Sequence, residues 1–195
     1  MSKDKSTLGV MEKGIVYWIT GLSGAGKTTL GQRLYRDQKA DGENVVILDG
    51  DELREIINNK DYSHEGRKQV AKQYSRICRM LSSQGVDVII CTVSMYDEVR
   101  EWNRINIENY CEIYIEVSMK ELIRRDQKQL YSRALENELS NVMGIDGEFE
   151  EPKNPDIRIN NDGRLGVAEV YDILKEEIKA YRRRNTDEFT GKSST

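Results

Sequence analysis

A chain of 195 residues, 37% hydrophobic and 33% charged, holds enough apolar material for one domain with a substantial core. A formal net charge of −4 argues against a non-specific nucleic-acid binder, which carries a basic surface, and leaves room for a local basic pocket. Three widely spaced cysteines and a single histidine form neither a disulfide framework nor a zinc pattern, and no stretch is long and apolar enough to span a membrane; the expected setting is cytoplasmic, with no nucleic-acid or membrane partner.

Residues 1–13 are polar and read as a flexible N-terminus ahead of a single domain over 14–184, with 185–195 as a flexible tail. The run "GIVYWIT" (14–20), β-branched and aromatic, predicts a buried strand. After a glycine-rich loop, Leu30, Leu34 and Tyr35 recur at helical spacing, and Gly42 stops that helix. "NVVILD" (44–49) is a second strand. Ser63 is a plausible cap for a helix over about 65–83, with Val70, Tyr74, Ile77 and Leu81 on one face. "VDVIICTV" (86–93) is a third strand, 95–109 a polar helix, and "CEIYIEV" (111–117) a fourth strand. A charged stretch over 118–135 reads as one helix, followed by a long acidic loop over 136–155 that holds both prolines. "DIRIN" (156–160) is a fifth strand, and Val167, Val170, Tyr171, Leu174, Ile178 and Tyr181 form the stripe of a last helix. Strands alternating with helices specify an α/β fold, a five-stranded parallel sheet with helices on both faces. Ligands of such sheets sit at the carboxyl ends of the strands.

One such end carries "GLSGAGKTT", in which residues 21–28 fit G-x-x-x-x-G-K-[ST] between a strand and a helix. The backbone of Gly21, Leu22, Ser23, Gly24, Ala25 and Gly26 is expected to turn its amides toward phosphate, helped by Thr29 behind it. Lys27 then reaches the β and γ phosphates, and the Thr28 hydroxyl is a Mg²⁺ ligand. The second strand ends "VVILDGDELR" (45–54), whereas the third ends "IICTVS" with no acid. Motor and switch NTPases place an acid on that third strand, so the pattern here suits transfer to a bound hydroxyl instead. Asp51 would orient that hydroxyl, Asp49 would hold Mg²⁺, and Arg54 would hold an anion on the acceptor. The alternative is that Asp51 merely caps a helix starting at Glu52. His64 is expected to flank a helix start without a catalytic role, and Cys91 and Cys111 to be small core residues.

"GLSGAGKTTL", "LDGDELR", "SHEGR", "RDQKQLY", "GIDGEFEEP" and "NPDIRI", in that order over about 14–181, resemble the adenylyl-sulfate kinase family. The resemblance implies a P-loop kinase fold, ATP as co-substrate, Mg²⁺, and transfer to the ribose 3′-hydroxyl of a small nucleotide, adenylyl sulfate first. It also implies a homodimer. By position, Asp51, Arg54 and Arg67 match acceptor-site residues. Ser94 matches a serine often described as a phosphoserine intermediate; transfer to a bound hydroxyl needs no covalent relay, so a hydrogen bond to phosphate suffices. Residues 118–150 match a lid in which Arg125, Lys128 and Arg133 close over the phosphates. The departures cluster at the acceptor: Tyr62 and Val142 stand where the family has a pair of phenylalanines around the base, Val70 replaces an asparagine, Lys72 and Gln73 an arginine pair, and Met95 and Asp97 a proline and an arginine. A related subgroup, from surface-polysaccharide pathways, phosphorylates cytidine diphosphoramidate at the same hydroxyl, and one stacking ring suits a pyrimidine. A nucleotide-binding regulator without turnover is the remaining alternative.

Overall fold

The computed structural model describes residues 13–190. In chain order the elements are β1 (Val16–Thr20), α1 (Lys27–Ala40), β2 (Val45–Asp49), α2 (Gly50–Ile56), α3 (His64–Ser82), β3 (Asp87–Thr92), α4 (Asp97–Asn106), β4 (Tyr110–Glu116), α5 (Met119–Arg125), α6 (Leu130–Leu135), β5 (Ile157–Asn160) and α7 (Val167–Thr190), with a 3-10 turn at Gln127–Gln129 between α5 and α6. All five strands are parallel, in the order β2-β3-β1-β4-β5.

β1 lies at the centre, and every residue of it is buried. That is why it reads as an unbroken apolar run: a central parallel strand is covered on both faces. Fully burying each Val or Ile there contributes roughly 1.5–3 kcal/mol. α1 packs against β1, β2 and β3 and also meets α7, which covers β5; α3 packs on β3 and β1 and against α4. Gly31 lets α1 lie close to the sheet, since a Cβ there would stand 2.4 Å from the Cys91 sulfur. This close seating brings the N-terminus of α1 to the carboxyl end of β1. Cys78, Cys91 and Cys111 are all free and buried.

Two expected elements differ. The stretch over 118–135 is two helices, because Asp126, Lys128 and Gln129 adopt left-handed φ values of 36°, 59° and 55°. Sequence periodicity does not register this break, since none of the three is glycine. The last helix runs on to Thr190, into the segment expected to be a tail. Residues 1–12 and 191–195, also expected to be flexible, lie outside the described residues. Among the described residues no helix is long and apolar enough to cross a membrane.

A buried charge cluster ties α4 to the sheet. Glu112 on β4 is almost fully buried and meets Arg104 Nη2 at 2.7 Å and Arg100 Nε at 3.5 Å. Arg104 also pairs with Asp156, whose carboxylate accepts the Glu112 amide at 2.8 Å. Burial pushes the Glu112 carboxyl up, against the pull of the two guanidiniums. Removing the carboxylate leaves Arg100 with Asp97 and Arg104 with Asp156 but takes away the acid that both share, so Glu112→Ala is expected to cost about 1.5–3 kcal/mol in urea unfolding. A loss under about 1 kcal/mol would mean that the cluster does not hold α4.

Candidate active site

The phosphate loop is held open from behind. Gly24 and Gly26 have φ values of 78° and 97°, a region that other residues enter at a cost. Four consecutive loop carbonyls each accept a side-chain donor. Lys27 Nζ donates to Leu22 O at 2.9 Å, the Tyr131 hydroxyl to Ser23 O at 2.8 Å, Arg125 Nη1 to Gly24 O at 3.1 Å, and Asn161 Nδ2 to Ala25 O at 2.8 Å. With these carbonyls engaged, and the first amides of α1 lacking partners within the helix, the loop presents N–H groups for an anion.

Lys27 is buried, with 8% exposure. Burial lowers its ammonium to about 8, although the Cys91, Asp51 and Asp49 side chains pull the other way. Beside it, the Thr28 hydroxyl donates to Asp49 Oδ2 at 2.7 Å. The other Asp49 oxygen accepts the Asp51 amide at 2.9 Å, so Asp49 is the cap of α2. This corrects the alternative in which Asp51 caps a helix. The Asp51 side chain is 83% exposed at the cleft, and among the described residues its one ionic partner is Lys128 Nζ at 3.3 Å.

At the far end, Arg54 is held by the Asn59 side chain (3.2 Å) and the Asp61 carbonyl (2.9 Å). Arg67 is held by the carbonyls of Tyr62 (3.0 Å) and Asn141 (2.9 Å). Both guanidinium carbons stand over the Tyr62 ring, 4.6 and 5.1 Å from its centroid. Ser94 is buried, with its hydroxyl 2.7 Å from that of Thr92. β3 lies beside β1 and ends at Thr92, so the position where a switch NTPase has its acid holds a hydroxyl.

Residues 13–160 match the adenylylsulphate kinase family. The chain belongs to the adenylyl-sulfate kinase family. It is 44% identical over 163 residues, 84% of its length, to the cytidine diphosphoramidate kinase of Campylobacter jejuni, and covers 95% of that protein. It is 37% identical over 182 residues to a probable adenylyl-sulfate kinase of Aeropyrum pernix, covering 89% of this chain and 100% of that one. The Mycobacterium tuberculosis adenylyl-sulfate kinase, solved with AMPPNP and APS, superposes with a TM-score of 0.79 at 27% identity, over 86% of this chain and 98% of the other. This kinase is therefore an ATP-dependent enzyme that phosphorylates a nucleotide, and the reading as a binder without turnover gives way.

The cleft of this kinase gathers many of the expected residues. Ser23, Gly24, Gly26, Lys27, Thr28 and Thr29 form one wall. Asp49, Asp51, Arg54, Tyr62, Arg67 and Ser94 also line it. Gly21, Leu22 and Ala25 shape the loop without lining the cleft, and Ala25 is fully buried. Three expected residues are not among those lining the cleft. Val142 is 4% exposed and packs in the core; Asn141 and Met143 border a recess beside Tyr62 in its place. Arg133 pairs with Glu138 and does not line the cleft. Arg125 grips Gly24 O and Asn161 O from outside the cleft lining. The changed charges near the acceptor satisfy one another: Lys72 pairs with Glu98 at 2.5 Å, and Asp97 with Arg100. Gln127, Tyr131 and Asn161 were not anticipated as site residues: the first two fall inside the stretch "RDQKQLY" that carries the resemblance, but nothing in the spacing tells which of its side chains reach the loop or the cleft.

Proposed function

We propose that this kinase transfers the γ-phosphoryl group of ATP to the ribose 3′-hydroxyl of cytidine diphosphoramidate. The observation that carries the choice of acceptor is that, of the two positions matched to the family's base-stacking pair, only Tyr62 brings a ring to the cleft, while Val142 is aliphatic and buried. A base held by one ring forgoes part of a stacking sandwich, roughly 0.5–1.5 kcal/mol. That loss falls harder on the larger purine. The 44% identity to the Campylobacter jejuni enzyme supports the same choice.

In this reading the loop amides and Lys27 bind the β and γ phosphates. Arg54 and Arg67, each pinned by carbonyls, hold the acceptor's phosphate-bearing end as fixed cations. Asp51 accepts the hydrogen bond of the 3′-hydroxyl and directs its oxygen at the γ-phosphorus; as that oxygen bonds to phosphorus the bond to the β–γ bridging oxygen breaks and ADP leaves, while the carboxylate takes the hydroxyl proton. Ser94 donates a hydrogen bond to phosphate. Closure of the lid excludes water, which otherwise competes for the phosphoryl group. A hydroxyl and one carboxylate, Thr28 and Asp49, already in contact, suit Mg²⁺, which takes few protein oxygens and fills its shell with water and phosphate. Bound there, Mg²⁺ neutralises charge on the β and γ phosphates.

The test is a competition between acceptors. With ATP and Mg²⁺, kcat/KM for cytidine diphosphoramidate is expected to exceed that for adenylyl sulfate by at least about tenfold, a difference of roughly 1.4 kcal/mol. The family's name and the M. tuberculosis complex favour adenylyl sulfate as the second reading. A preference for adenylyl sulfate of the same size would establish it.

A further inference from the structure

The turn over 126–131 joins two sides of the site. At one end Tyr131, fully buried, donates its hydroxyl to the carbonyl of Ser23 in the phosphate loop. At its crest Lys128 reaches the Asp51 carboxylate on the acceptor side. Just before the crest Gln127 lines the cleft, its Cβ 3.7 Å from where a Cβ on Gly24 would stand.

The turn is not relaxed. Lys128 and Gln129 hold left-handed backbone without being glycine. Such conformations persist only where the surroundings hold them. Here Asp126 Oδ1 accepts the amides of Tyr131 (2.9 Å) and Ser132 (3.1 Å), and the Tyr131 hydroxyl anchors the whole turn to the loop. The Lys128 side chain is 74% exposed, so its place over Asp51 is inherited from the turn rather than from its own packing.

We propose that Tyr131 is a positioning residue for phosphoryl transfer: its hold on the Ser23 carbonyl sets where the lid turn places Lys128 over the Asp51 carboxylate. A cation at that point stabilises the charge developing on the transferred group only if it is held in place beforehand. The ATP-side loop and the acceptor-side acid are thereby linked through one turn.

A double-mutant cycle tests this in the full chain, with whichever nucleotide the kinase turns over, so the result does not depend on the acceptor assignment. At saturating substrates Tyr131→Phe is expected to lower kcat about tenfold in the wild-type background and less than about twofold in the Lys128→Ala background. Asp126→Ala, which loosens the same turn by removing the acceptor of the Tyr131 and Ser132 amides, goes through the same cycle in case Tyr131→Phe folds poorly. Equal losses in both backgrounds, tracking a fall in thermal midpoint, would reduce Tyr131 to a structural residue and overturn the proposal. So would an unchanged kcat in the wild-type background.

Discussion

Asp51→Asn is expected to lower kcat about 10³-fold while ATP affinity changes by less than about threefold. The asymmetry follows from geometry. Asp49 meets the Thr28 hydroxyl and caps α2, whereas Asp51 faces the cleft with Lys128 as its ionic partner. Its carboxylate thus neither bonds the phosphate cradle nor caps the helix, although it sits in the first turn of α2. The amide of asparagine keeps the shape and still accepts a hydrogen bond, but it has no charge and cannot take the proton of the attacking hydroxyl. Single-turnover transfer and equilibrium binding of an ATP analogue separate the two quantities. Comparable losses in both would place Asp51 in the nucleotide site and remove it from transfer.

Lys27→Met is expected to abolish detectable transfer, with kcat/KM for ATP down at least about 10³-fold, and yet to leave the unliganded protein at least as stable as the wild type. The ammonium is buried, and burial lowers it from 10.5 to about 8. A lysine whose folded value is depressed weakens the fold wherever the unfolded chain carries the charge. The penalty is full below about pH 8 and fades as pH rises towards 10.5, on the order of 3 kcal/mol at neutral pH. Removing the charge removes that penalty. The Leu22 carbonyl then loses a donor, which offsets about 1 kcal/mol. Differential scanning fluorimetry without nucleotide at pH 7 reads the balance. A clear fall in midpoint would show that the lysine supports the apo fold and that the site stores no electrostatic strain.

Much of this was legible in the sequence because the physics is local. A central strand must be apolar throughout, and Val16–Thr20 is. A phosphate cradle needs glycines ahead of a helix, and residues 21–28 supply them. Ser63 was readable as a cap, and its hydroxyl accepts the Gly66 amide at 3.1 Å. Other features were illegible because their cause lies far along the chain. The loop carbonyls are secured by Arg125, Tyr131 and Asn161, about a hundred residues or more downstream. The lid breaks at Lys128 and Gln129 because Asp126 and Tyr131 hold the turn, not because of any helix-breaking residue. Which of the two aspartates caps α2 depends on the helix starting at Gly50, directly after an extended Asp49, and composition is silent about that. Val142 aligned with a pocket residue, but a small apolar side chain with room to pack inward does so.

The central claim is that the Asp51 carboxylate and the phosphate cradle face each other across a sugar hydroxyl. A crystal structure with a non-hydrolysable ATP analogue, Mg²⁺ and cytidine diphosphoramidate tests it most directly. The acceptor 3′-oxygen is expected within about 3 Å of the Asp51 carboxylate and in line with the γ-phosphorus. A carboxylate turned from the hydroxyl, or an acceptor whose 3′-oxygen lies away from the γ-phosphorus, would contradict it.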